Sequence, residues 1–256
     1  MSIESSDKLK TLLYSWKPNT VMTYAPLRSM NITPQHMQKY VASGWVVPVG
    51  SGAFIKANES VSWQGALYTL QNQTELNIHL GGLSALEEEG HTQYLRMGEE
   101  AVQLFSEHNQ KLPTWFKNSS WGAKIVQIQT GFLPKALGIR TSNIKGFEIK
   151  SSCQERAILE CLYLAPQKLD LIEAYEILEG MRSMRPNIMQ QLLESCQSIK
   201  VKRLFLFMAE KAKLPILEHL DTERLELGSG ARALIKDGFY DAKYKLILPK
   251  GLAQNA

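Results

Sequence analysis

Apolar residues recur along this chain at two different periods, and the switches between them divide it into parts. Leu9, Leu12, Leu13 and Trp16 fall at the i, i+3, i+4, i+7 spacing of one helical face, which predicts a helix over 7–16 capped by Ser5 or Ser6. The breaker "KPNT" ends it. A second, short helix is expected over about 23–29, with Leu27 and Met30 turned inward and Pro26 tolerated in its first turn. Asn31, Ile32 and Thr33 read as a turn. Thr33 and Pro34 then form an N-cap and first-turn proline, opening a third helix that runs to about Ser43, with Gly44 as its left-handed C-cap. Two β-rich runs, 45–49 and 53–56, are joined through Gly50-Ser51-Gly52, a hairpin signal, and Pro48 confines the first to a sheet edge.

The polar join at 56–62 marks an expected boundary, giving a unit at 1–58 and a larger one at 59–256. Beyond it a helix is predicted over 63–72, then a strand, a Gly-Gly turn and a helix within 76–90. Strands are expected at 100–105, 124–130 and 145–150, with "LPTWFKNSSW" lying between the first two. From Cys153 the period becomes helical in segments near 153–165, 169–181, 186–197 and 200–213. Two closing strands, 231–236 and 244–248, are linked by "DGFYDAK". The fold class is therefore α+β, with strands and helices partly segregated.

Charge adds little in total and more in its distribution. The 256 residues carry 29 basic and 25 acidic side chains, a net +4, and the first sixty hold +3 of it, which suits a polyanionic partner but also any mildly basic surface. Three cysteines in apolar, helical surroundings do not make a disulfide framework, and no apolar run reaches the roughly 20 residues of a membrane span. With a polar first ten residues, the expectation is a cytoplasmic protein that needs no membrane.

Projected at about 100° per residue, the third helix places Met37, Tyr40 and Val41 inward. Gln35 and Lys39 fall opposite, flanked by His36, Gln38, Ala42 and Ser43. This outward face is short, polar and free of acidic groups, and its side chains suit a major groove: glutamine can pair with adenine, and lysine can reach guanine or phosphate. Three helices and then a hairpin is the order of a winged helix-turn-helix. Gln35, Gln38 and Lys39 would lie near base edges, with Thr33, Ser51 and Lys56 near phosphates and His36 and Ser43 beside them. The competing reading is a three-helix cap whose polar face meets only water.

Other constellations are weaker. Lys200, Arg203 and Lys211 line one flank of the predicted 200–213 helix around Phe207, a candidate second basic patch whose bland alternative is a solvated edge. The run "HLGGLSALEEEGH" groups His79, Glu87, Glu88, Glu89 and His91 but lacks H-E-x-x-H spacing, so no metal is expected. Gly81-Gly82 matches neither phosphate-binding fingerprint. Ser152 and Glu155 have the spacing of a capping box, and Cys153 has no evident partner histidine. With no nucleophile-elbow motif either, no catalytic residues and no cofactor are assigned.

The segments "GWVVPVGSGAFIK", "WQGALYTLQNQ", "IHLGGLSALEEEGH", "LPTWFKN", "SSCQERAILECLYLAP" and "SIKVKRLFLFMAEKA" occur in an order that resembles the AbiEi family, over about residues 8–248. These are antitoxins of type IV toxin–antitoxin, or abortive infection, systems. The resemblance implies a non-enzymatic transcriptional repressor. Its N-terminal winged helix would bind inverted repeats in double-stranded promoter DNA, with two copies expected per operator. Its C-terminal region would counteract an AbiEii-type nucleotidyltransferase toxin, without needing a stable complex. The alternative is a protein-interaction module that neutralises the toxin by direct binding.

Overall fold

The computed structural model describes residues 3–90 and 101–253, and the side chains of 7–90 and 101–253. Helix α1 (Ile3–Ser15) leads through a two-residue strand β1 (Met22–Thr23) into α2 (Tyr24–Ser29) and α3 (Pro34–Ala42). Strands β2 (Val46–Gly50) and β3 (Ala53–Lys56) follow, and the small sheet has the order β1-β3-β2, all antiparallel. The predicted apolar faces converge here: Leu9, Leu12, Trp16, Leu27, Ile32, Met37, Tyr40, Val46 and Phe54 form one core cluster. Asn31 takes up a left-handed φ in the α2–α3 turn and Gly44 does so after α3, which lets the chain reverse with little steric cost. β2 is the outer strand, as Pro48 requires.

Next come α4 (Trp63–Gln73), β4 (Ile78–Leu80), α5 (Gly82–Glu88), β5 (Ala101–Ser106), α6 (Thr114–Lys117), β6 (Lys124–Gln129), β7 (Ile139–Ile144) and β8 (Phe147–Ser152). They build a mixed five-stranded sheet of order β6-β5-β4-β8-β7. Strand alternation sorts its side chains. Ile78, Leu80, Val102, Leu104, Phe147 and Ile149 face α4 and the aromatic cluster of Trp115, Phe116 and Trp121. His79 and Phe105 face the other way, toward α7 (Gln154–Leu164). Val21 and Ala53 of the first unit belong to the same core cluster as Leu67 and Leu70 of α4. The expected break near 58 thus divides two topologies that share a core.

Helices α7, α8 (Leu171–Gly180), α9 (Pro186–Ser195) and α10 (Ile199–Lys211) pack into the largest core cluster, close to the predicted positions. A second three-stranded sheet of β9 (Arg232–Ala233), β10 (Phe239–Asp241) and β11 (Leu246–Leu248) packs Phe239 and Tyr244 against Phe207 of α10. The class is α+β, as expected. Several elements differ from the sequence reading. β7 is a polar edge strand whose Arg140, Thr141 and Asn143 point to solvent, so it lacked the apolar alternation that reveals strands. Lys145 and Gly146 form the β7–β8 turn rather than a strand, and β10 lies inside the expected linker "DGFYDAK".

The N-terminus of α7 also departs from expectation. Cys153, not Ser152, is its N-cap residue. Ser152 instead donates to Glu160, and Glu155 is drawn away to Arg185, whose Nη2 lies 2.8 Å from Glu155 Oε2. Burial opposes the Glu155 charge, but the Arg185 bonds outweigh it and hold the carboxyl at about 2. Burial pushes the Cys153 thiol up to about 11, which leaves it unreactive.

At the centre, the fully buried Glu160 carboxylate receives four donors. His79 Nε2 lies 2.9 Å and Arg156 Nε 2.8 Å from Oε1, while Gly82 N donates at 2.9 Å and Ser152 Oγ at 2.8 Å to Oε2. Burial alone would raise this acid. His79, Arg156 and the Gly82 N–H more than offset it and hold the carboxyl at about 2. A carboxyl depressed in the folded state stabilises the fold fully above its unfolded pKa and loses that contribution as pH falls through the folded value. Thermal stability should therefore fall between about pH 4.5 and pH 2, with Glu155 and Glu160 as leading contributors. Glu160→Gln should cost about 3–5 kcal/mol at neutral pH, because it strands donors and leaves Arg156 uncompensated, and should flatten the acid limb. Denaturant titration across pH checks both. A second consequence concerns Arg203, buried on α10, where Nε, Nη1 and Nη2 donate to the carbonyls of Leu227, Gly230 and Gly228 at 2.7, 2.6 and 2.9 Å. Arg203→Met should speed amide exchange selectively across 225–245 before it affects the sheet.

Candidate nucleic-acid interface

Helix α3 is held by its inner face and by its start. Met37 and Tyr40 are buried, so its rotation about its own axis is fixed. At the N-cap, Thr33 Oγ1 accepts from His36 N, and Thr33 N donates to His36 Nδ1 at 3.1 Å, a capping box closed by histidine where glutamate or glutamine is usual. His36 also stacks on Tyr40, with ring centroids 6.4 Å apart. Pro34 has no N–H, so Gln35 N is the first-turn donor without a partner among the described residues.

The fixed rotation leaves Gln35, Gln38 and Lys39 exposed together, and none of their side chains makes a hydrogen bond or ion pair with another described residue. No acidic side chain lies on α3. Exposed Arg28, in the last turn of α2, adds a positive charge across the turn. The sequence reading passed over it because a lone arginine on a short helix carries no pattern.

The remaining expected residues divide. Ser51 is exposed at the β2–β3 tip. Thr33 is exposed, but its hydroxyl is engaged in the cap. Ser43 Oγ donates back to Lys39 O at 2.8 Å. Lys56 is half-buried and ion-paired to Glu59 at 3.4 Å. The hairpin glycines serve close packing as well as turn geometry: a Cβ on Gly50 would come within 2.8 Å of Trp115 Cβ, and one on Gly52 within 2.9 Å of the Tyr24 ring. Ser119 Oγ donates to Val49 O at 3.0 Å. The hairpin is therefore braced by the 114–119 segment.

The second basic flank is only partly open, with Arg203 buried and Lys200 and Lys211 half-buried. Residues 201–209 of α10 are all buried, including Arg203 and Phe207. Lys200 Nζ donates to the carbonyls of Tyr163 and Ala165 at 2.7 and 2.5 Å, and burial lowers its ammonium to about 8. Lys211 Nζ donates to Ala253 O at 3.2 Å. Residues 227–230 and Lys245 cover Arg203 and Ala253 meets Lys211, while the end of α7 takes up Lys200. Each of the three cations spends donors on backbone carbonyls, so they do not form a free basic patch.

The glutamate run separates as well. His79 turns inward to Glu160, Glu89 pairs with Arg140, Glu87 and Glu88 are exposed, and His91 lies outside the described residues. Gly81 and Gly82 open α5 against the chain's own carboxylate: a Cβ on Gly81 would come within 2.4 Å of Glu160 Oε2. The anion position at that helix start is filled internally.

Comparison with known proteins supplies a context for this face. Similarity in three dimensions covers 97% of this chain and 93% of the crystal structure of the RV2827C protein from Mycobacterium tuberculosis, at a TM-score of 0.59 and 12% identity. That likeness concerns the fold alone. Comparison with curated proteins finds no match. Residues 5–97 match the family described as "Transcriptional regulator, AbiEi antitoxin N-terminal domain", and residues 99–249 match "Transcriptional regulator, AbiEi antitoxin, Type IV TA system". The division at 97–99 leaves β4 in one segment and the other four strands of its sheet in the second. Matched along nearly its whole length, the chain belongs to the AbiEi family of antitoxin transcriptional regulators of type IV toxin–antitoxin systems.

Proposed function

We propose that this regulator is an autorepressor that reads inverted repeats in its own promoter through α3, and that it counteracts a nucleotidyltransferase-type toxin. The observation that carries the DNA part is the unpartnered, acid-free face of Gln35, Gln38 and Lys39 on a helix whose rotation is fixed by Met37 and Tyr40. The order α1-β1-α2-α3-β2-β3, with β1 beside β3, supports a winged helix-turn-helix whose wing is the β2–β3 hairpin. In this reading α3 enters the major groove with Gln35 and Gln38 toward base edges. Lys39, the Gln35 N–H and Ser51 reach phosphates, and Arg28 adds to the positive field. Thr33 and His36 serve by fixing the helix start. A single module makes a small interface, so specificity requires two copies on paired half-sites. The toxin's class rests on the family alone, and co-purification with the neighbouring gene's product separates direct binding from action without a complex.

Mobility shifts on the upstream DNA should divide the residues by role. Lys39→Ala should weaken binding to all sequences and reduce the slope of log K against log salt by about one phosphate equivalent per copy. Gln35→Ala should cost about 1–3 kcal/mol on the cognate site and relax preference at one base position of each half-site. An unaltered base preference would remove Gln35 from the readout. Thr33→Ala should lower stability by about 1 kcal/mol through loss of the cap while leaving the salt slope unchanged, as calorimetry and the same shifts would record.

A further inference from the structure

Away from α3, a cavity of about 240 Å³ opens between β4, the loop after β6 and α7, with His79, Ser106, Glu107, Thr130, Lys135 and Arg156 in its lining. Two of these side chains are at least nine-tenths buried, His79 at 9% and Arg156 at 6% exposure, yet each keeps a polar group unused. Arg156 spends Nε on Glu160 and Nη1 on the carbonyls of Pro134 and Leu137, at 2.6 and 2.7 Å. Its Nη2 has no partner among the described residues and is not sealed from solvent, on a side chain that lines the cavity.

His79 presents a similar case. Glu160 is ionised and can only accept, so the bond at 2.9 Å requires the His79 proton on Nε2. Nδ1 is left without a partner on a ring that lines the same cavity. The titratable groups around it are Glu160 and Arg156 of α7, Glu107 beyond β5 and Lys135 of the 130–135 loop. They cancel in pairs: Arg156 against Glu160, and Lys135 against Glu107 at 2.7 Å. Arg156 Nη2 is therefore the donor left over for a ligand, beside an imidazole nitrogen without a partner among the described residues.

We propose that this cavity is a binding site for a small molecule carrying a carboxylate or phosphate group, held by the two N–H groups of Arg156 Nη2 beside the His79 ring. Carboxylate or phosphate oxygens suit the guanidinium donors, and the volume admits a small organic acid or phosphorylated fragment but no polymer. This site does not depend on the reading of α3.

Thermal unfolding and calorimetry of the full-length protein test it, with inorganic phosphate and succinate as separate probes against chloride at matched ionic strength. At least one probe should stabilise saturably. Arg156→Lys keeps a cation for Glu160 but removes Nη2, and should weaken binding about tenfold. His79→Gln keeps a donor for Glu160 but removes the ring from the cavity's lining, and should weaken binding in the same direction. Stabilisation by neither probe beyond chloride would overturn the proposal. So would binding that survives both substitutions, which marks an adventitious ion only.

Discussion

The Glu160 carboxylate is the group on which the rest of the structure turns. It draws one donor each from β4, β8, the start of α5 and its own helix α7, and so ties the central sheet to the helical layer through one fully buried charge. An isolated carboxylate in such a place would cost many kcal/mol, and only a complete set of donors makes it tolerable. Completeness explains local oddities that otherwise look unrelated. Gly81 lacks a side chain because the carboxylate occupies the space, and at Gly82 a Cβ would run into the Gln103 side chain. Ser152 ends a strand instead of capping a helix, and His79 faces inward from an apolar strand. The same set of bonds fixes Arg156 with one nitrogen to spare, which creates the cavity's donor.

The N-terminal unit is anchored in a comparable manner. The outer edge of β1 is satisfied by side chains of α4: Thr69 Oγ1 accepts from Val21 N at 3.1 Å, and Gln73 Oε1 accepts from Thr23 N at 2.9 Å. Side-chain amides and hydroxyls thus stand in for a fourth strand and close an edge that would otherwise be open to pairing. With the β2–β3 tip braced on Trp115 and Ser119, α3 is presented from a rigid platform. Rigidity reduces the ordering cost of docking a short helix into a groove, which suits a module with few contacts to spare.

Much of this was legible in the sequence, for physical reasons that differ by element. The α3 region was readable because Thr33-Pro34, Gly44 and Gly50-Ser51-Gly52 are local signals that no distant contact overrides, and the wheel needed only Met37 and Tyr40 to orient the outward face. Helices α7 to α10 announced themselves by periodicity. The polar edge strand β7 and the short β10 did not, because their pairing is decided by partners far along the chain. The basic flank of α10 shows the limit of a wheel: it assigns a direction to Arg203, but whether 225–253 lies over that direction is tertiary information. Likewise His79 and Glu160 are 81 positions apart, and no local pattern couples them.

The central claim is that α3 reads DNA at paired half-sites, and footprinting the full-length protein on the DNA upstream of its own gene tests it most directly. The account expects two protected segments of related, inverted sequence, centred about 10 base pairs or a multiple apart, with strongest protection in the major groove and loss of both when Gln35, Gln38 and Lys39 are replaced together by alanine. Protection that is absent or uniform along the DNA, or that persists unchanged in the triple variant while the protein remains folded, would contradict it.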